Sequence, residues 1–170
     1  MEFVTLVLSS ILFILPAYIA NMAPIFVHRF FGKYTYPIDF NKSFFDGKRI
    51  FGDGKTWAGL IAGTLVGGLV GASYSLNTML GFKYGLALGF GALFGDLVKS
   101  FFKRRLGFER GKMWFPFDQI DFVLGAFLFY YLFFHDFDFK QLIILLLLTP
   151  ALHLLTNFMG FKLKLKKEKW

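Results

Sequence analysis

Five apolar stretches, separated by polar segments, constrain this chain more than any other feature. They run over about residues 3–20, 57–74, 80–98, 117–134 and 141–159. A helix needs roughly 20 apolar residues to cross the hydrocarbon of a bilayer, and these stretches approach that length one by one. Lys83 interrupts the third near its start, and the fourth is short unless it begins well before Phe122. Hydrophobic residues make up 56% of the 170, with 26 Phe, above the 45–50% of a soluble domain. The expectation is an all-α integral membrane protein with five transmembrane helices, in one domain over residues 1–170. The first stretch has neither a basic n-region nor a small-residue cleavage site. Its only early charge is Glu2, and it leads into Asn21, Pro24 and His28, so it reads as a retained helix. There is no cysteine, which removes disulfides, thiol nucleophiles and cysteine metal sites.

The linkers alternate in charge. A segment at about 27–56 carries Arg29, Lys33, Lys42, Lys48, Arg49 and Lys55, and one at about 99–116 carries Lys99, Lys103, Arg104, Arg105, Arg110 and Lys112. The tail holds Lys162, Lys164, Lys166, Lys167 and Lys169. The short linker after Tyr74 has no charge, and the one after Phe134 sets Asp136 and Asp138 against Lys140. Basic segments stay in the cytoplasm, so the N-terminus is expected outside and the C-terminus inside. Only an odd number of spans allows that. The net charge of +8 in a membrane protein implies anionic partners, lipid headgroups and nucleotides rather than nucleic acid.

Gly63, Gly67 and Gly71 recur every four residues in the second span, and Gly81, Gly85 and Gly89 in the third. That spacing lets helix backbones approach closely, which makes packing the first reading. Gly95 is set apart because it adjoins Asp96.

The first basic segment ends in GDGKTW, Gly52 to Trp57. Gly54, Lys55 and Thr56 match the end of a phosphate-binding P-loop, but its first glycine would fall at Arg49 and no strand precedes it. The physics of phosphate binding survives without that fold. Glycines permit close backbone approach, a helix N-terminus favours anions, and Lys55 adds charge. The competing reading is a basic flank in which Thr56 caps a helix. In the second segment Asp96, Lys99 and Lys103 share one helix face, as do Asp118 and Asp121. Carboxylates at the membrane boundary are costly and usually functional. Beside clustered Lys and Arg they suit a divalent cation held against a polyphosphate. The alternative is salt bridging to Arg104, Arg105 or Arg110. His28, His135 and His153 are isolated and read as interface or packing residues.

These motifs resemble the CDP-diglyceride synthase family. Ser100, Lys103 and Arg104 match its basic run, and Asp118 and Asp121 match its D-x-x-D ending, with Gln119 where the bacterial pattern has arginine. Met113 follows Lys112 where that pattern has an aspartate, and WFPF replaces its H-G-G. The short archaeal branch, the CDP-archaeol synthases, is similar over more of the chain. PAYIANMAP, DGKRIFGDGKTWAG, GDLVKSFFKRR and DQID follow in that branch's order, from Pro16 to about Gly125.

The resemblance implies cytidylyl transfer from CTP to unsaturated archaetidic acid, an isoprenoid ether lipid phosphate, with Mg²⁺ required. It implies a multi-pass enzyme of the cell membrane with its site facing the cytoplasm, and it leaves room for a homodimer. Asp96, Asp118 and Asp121 are assigned to the metal, and Lys55, Lys99, Lys103 and Arg104 to neutralising phosphates. Gly52, Gly54 and Thr56 are expected to bring donors to the nucleotide, with Lys48 and Arg49 beside them. Asn21, Asp46 and Asp53 divide evenly between substrate contact and structure. The polar cavity is expected to open to the cytoplasm and sideways to lipid. A bacterial-type synthase and a small carrier for anionic solutes are the alternatives. Charge gathered on one side of the membrane argues against the carrier.

Overall fold

A computed structural model describes residues 2–109 and 112–163, apart from the Lys33 side chain. Arg110 and the tail lysines from Lys164 onward, which entered the charge pattern, lie outside the described residues. The helices are α1 (Glu2–Phe31), α2 (Trp57–Tyr74), α3 (Thr78–Arg105), α4 (Phe117–Phe134) and α5 (Phe139–Lys162). All five are long and apolar enough to cross a membrane. Among the described residues the only extended pairing is two isolated bridges, Pro37 with Thr56 and Ser43 with Arg49.

Two helices run further than their apolar stretches. Helix α1 continues past Asn21 and Pro24, so Asn21 lies within a helix rather than beyond its end. Pro16 removes the N–H that would have bonded the carbonyl four residues back. That carbonyl, of Leu12, instead accepts a hydrogen bond from the Tyr74 hydroxyl at 3.1 Å. A neighbouring helix thus satisfies the group the proline frees, as a chain in lipid requires. Helix α3 runs to Arg105, so Lys99, Lys103 and Arg104 sit on its last two turns.

Glycine brings α2, α3 and α4 into backbone contact. A Cβ at Gly67 would lie 2.8 Å from the Gly85 carbonyl oxygen, and one at Gly71 would collide with the Gly81 carbonyl. Further along α3, Gly91 and Gly95 face α4, and a Cβ on Gly95 would run into the Asp121 carbonyl. A small apolar core of Ile14, Leu88, Phe122, Val123, Phe127 and Leu145 joins the helices. Leu65, Leu69, Leu128, Leu132 and Leu147 point outward, as a lipid-facing surface needs.

Candidate active site

The antiparallel run of α2, α3 and α4 gathers the start of α2, the end of α3 and the start of α4 at one end of the bundle. Three carboxylates meet there around one ammonium. Lys99 Nζ lies 2.9 Å from Asp96 Oδ1, 3.3 Å from Asp118 Oδ1 and 2.8 Å from Asp121 Oδ2. Asp96 is one turn before Lys99 on α3, while Asp118 and Asp121 are one turn apart on α4, so helix spacing alone aims each pair at the shared point. Two further lysines flank it. Lys55, just ahead of α2, pairs with Asp96. Lys103 bonds Asp118 at 3.0 Å and the Lys112 carbonyl. The Trp114 N–H also donates to Asp118. The carboxylates therefore pair with Lys55, Lys99 and Lys103, and none pairs with Arg104 or Arg105.

Three carboxylates and three ammonium groups sum to no net charge. Asp121 and Lys103 are buried, and each has an oppositely charged partner within reach that offsets the cost of burying it. Among the described residues no three His, Asp or Glu side chains form a preassembled metal cage. In kind, however, the converging donors fit Mg²⁺, which takes hard oxygens and is commonly held by one or two carboxylates plus substrate phosphates. Arg104 behaves differently from its neighbours. It forms no ion pair among the described residues, and its buried Nε has no hydrogen-bond partner.

The loop between α1 and α2 is built around Asp39, which sequence reasoning passed over. Its buried carboxylate accepts from Arg49 at 2.8 Å and from the N–H groups of Asn41, Phe51 and Gly52 at 3.1, 3.0 and 2.9 Å. Burial alone would raise its pKa. The Arg49 guanidinium and the three N–H groups outweigh that and hold it at about 2. Arg49 also bonds Asp53 at 2.8 Å. Lys48 donates to the Arg105 carbonyl at 2.7 Å, closing the end of α3. Arg105 reaches back to the carbonyls of Arg49 and Ile50 and to Asp46, and stacks on Phe101 and Phe44.

Lys48 and Arg49, expected beside the nucleotide, and Asp46 and Asp53, expected either there or in loop structure, are thus engaged in the loop itself: Lys48 and Asp46 tie it to α3, and Arg49 joins Asp39 to Asp53 inside it. Gly52 has φ +101°, a backbone shape side chains resist, and its N–H serves Asp39. Thr56 caps α2 by accepting from the Gly59 N–H at 3.2 Å.

A pocket opens where these parts meet, lined by Gly54, Lys55, Thr56, Gly59 and Asp96, with Pro24 of α1 as a wall. Asn21 lies one turn along α1 from Pro24, half-buried, and its side chain bonds none of the described residues. On the outer side of α1 and α2 an apolar groove of about 340 Å³ runs between Ile19, Met22, Phe26, Ala62 and Val66. His153 stacks on Phe122 and lies 3.1 Å from Asn157.

A family model described as CarS-like: CDP-archaeol synthase matches residues 3–170. The chain is 41% identical over 160 residues to the CDP-archaeol synthase of Pyrobaculum aerophilum, covering 94% of this chain and 96% of that one. It is 40% identical over 148 residues to that of Methanospirillum hungatei, covering 79% and 89%. A solved intramembrane enzyme for archaeal membrane lipids biosynthesis is similar with a TM-score of 0.78 and 36% identity, over 89% of this chain and 94% of that one.

Proposed function

The chain belongs to the CarS-like CDP-archaeol synthase family, and we propose that its lysine–carboxylate cluster is the place where that reaction occurs. It is a multi-pass membrane cytidylyltransferase that forms CDP-archaeol. A bacterial-type diacylglycerol enzyme and a solute carrier are not favoured. The observation that supports the location is the convergence of Asp96, Asp118 and Asp121 on Lys99, with Lys55 delivered beside them by the loop that opens α2.

The nucleotide is CTP and the acceptor is unsaturated archaetidic acid. An oxygen of the lipid phosphate attacks the α-phosphorus of CTP. A new P–O bond forms, the bond to the bridging oxygen breaks, and the electron pair leaves with pyrophosphate. The nucleophile is already an anion at neutral pH, so no general base is needed. The barrier comes from two anions approaching and from charge growing on the leaving group. Fixed cations lower both, and positioning does the rest.

Lys55, which lines the pocket at the start of α2, meets the nucleotide phosphates together with the helix N-terminus. Lys99 and Lys103 neutralise phosphate oxygens deeper in. Arg104, without an ion-pair partner among the described residues, is available to the lipid phosphate. Asp96, Asp118 and Asp121 would hold Mg²⁺, which when bound supplies further charge neutralisation on the phosphates. Asn21 orients substrate from the α1 side. The isoprenoid chains lie in the apolar groove beside Met22 and Phe26 while the phosphate enters the polar end. The basic segments set that end in the cytoplasm, with the N-terminus outside.

Pyrophosphate release by purified protein tests this, with CTP, Mg²⁺ and either the geranylgeranyl ether phosphate or a diacyl phosphatidic acid. Release should require lipid, favour the ether phosphate and stop when the metal is chelated. Release that persists in chelator removes Mg²⁺ from the account, and release without lipid would mean CTP hydrolysis instead.

A further inference from the structure

We propose that Lys99 is the resident counter-ion of the three carboxylates and competes with the divalent metal for their oxygens, so that metal binds well only together with the nucleotide. This rests on the active-site reading above and deepens it.

The geometry is specific to Lys99. Its ammonium is within 3.3 Å of all three carboxylates, from two different helices. An ammonium carries three N–H donors, matching the number of carboxylates. The neighbouring lysines touch the cluster only at its edges. Among the three carboxylates Lys55 pairs with Asp96 alone and Lys103 with Asp118 alone. Lys103 is further held by the Lys112 carbonyl. Without a cation at the centre, three carboxylates this close would repel one another strongly. Lys99 therefore lets the ends of α3 and α4 come together when substrate is absent.

The same contacts set up a conflict. Magnesium needs oxygens at about 2.0–2.1 Å in near-octahedral array. Oxygens that surround an ammonium at 2.8–3.3 Å cannot also close on a metal at that point. Metal binding must move the ammonium away, and a displaced charge in a half-buried site needs a new anionic partner. A nucleotide triphosphate supplies one. Each ligand then improves the site for the other, and by linkage the effect is mutual. A lysine suits this exchange, being a point charge on a flexible stem.

The test is Mg²⁺ binding, measured by calorimetry on the full-length protein in detergent, with and without CTP and with no lipid present. Wild type should bind Mg²⁺ weakly alone and more tightly with CTP. Lys99→Met should bind Mg²⁺ without CTP about tenfold tighter than wild type, the scale on which one group near a metal acts, and its CTP coupling should shrink. Lys99→Arg keeps the charge and should stay weak. Lys83→Met, which removes a charge near the far end of α3, should match wild type. Should Lys99→Met be too unstable for calorimetry, Mg²⁺ alone should raise its melting temperature more than it raises that of wild type. Equal or weaker Mg²⁺ binding by Lys99→Met, or no such rescue, overturns the proposal. Asp118→Asn and Asp121→Asn separate the two levels. Loss of pyrophosphate release in both keeps the active-site reading whatever Lys99 does, whereas retained release removes that reading itself.

Discussion

Gly95 on α3 meets the Asp121 carbonyl on α4 with no room for a methyl group between them. This contact holds two helices close enough for Asp96 and Asp121 to share Lys99. Gly95→Ala should cost about 1–3 kcal/mol of stability, the usual price of overpacking, and should also lower kcat. Gly71→Ala collides with the Gly81 carbonyl at the opposite end of α2. It should destabilise similarly while sparing kcat in the protein that remains folded. Melting temperatures and turnover of the two variants check the contrast.

Asp39 anchors the loop between α1 and α2 without lining the pocket itself. Its carboxyl is held at about 2 against an ordinary 3.8. Because the folded value is depressed, the unfolded loop takes up a proton first as pH falls. The stabilisation is complete above about pH 4, declines between pH 4 and 2, and is gone below that. Limited proteolysis of the loop across that window should show progressive opening in wild type. Asp39→Asn should be open already at neutral pH, with about 1–3 kcal/mol lost for the donors left unpaired and a raised KM for CTP.

Arg105 makes two kinds of contact that a lysine cannot make together. Its guanidinium bonds the carbonyls of Arg49 and Ile50 at 3.1 and 3.0 Å and lies 4.0 Å from the Phe101 ring centroid. Arg105→Lys should therefore loosen the loop nearly as much as Arg105→Ala, since the planar fork and its stacking are lost in both. Proteolytic susceptibility and KM for CTP would show it; full rescue by lysine would mean that charge alone matters.

Lys55 lines the pocket and pairs with Asp96. Lys55→Met should weaken CTP binding and slow turnover by about a hundredfold, the scale for one preorganised charge at a developing anion. Titrating CTP against both variant and wild type separates binding from turnover.

Much of this was legible from spacing alone. The five apolar stretches appear as five helices because lipid leaves a chain few other choices. The four-residue glycine repeats pointed to a face, and Gly67 and Gly85 are in fact opposed across α2 and α3. Asp96 with Lys99, and Asp118 with Asp121, were paired by helical periodicity. What periodicity cannot express is which charges meet across a gap in sequence. Arg49 looked like a phosphate ligand by composition, and its contact with Asp39, ten residues away, is a property of the folded loop. Asp39 itself, alone between Ile38 and Phe40, carries no motif in the sequence. The extent of α1 was also hidden, because its apolar run stops near residue 20 while the helix continues to Phe31, and the rescue of Pro16 depends on Tyr74, far along the chain.

The most direct test of the central claim is pyrophosphate release by Asp118→Asn and Asp121→Asn beside Asp136→Asn, whose carboxylate bonds Tyr130 at the opposite end of α4. With CTP, Mg²⁺ and the ether lipid phosphate, the first two should lose about a hundredfold or more of the rate, and the third should match wild type. Wild-type rates from folded Asp118→Asn and Asp121→Asn would contradict the placement of the reaction at this cluster.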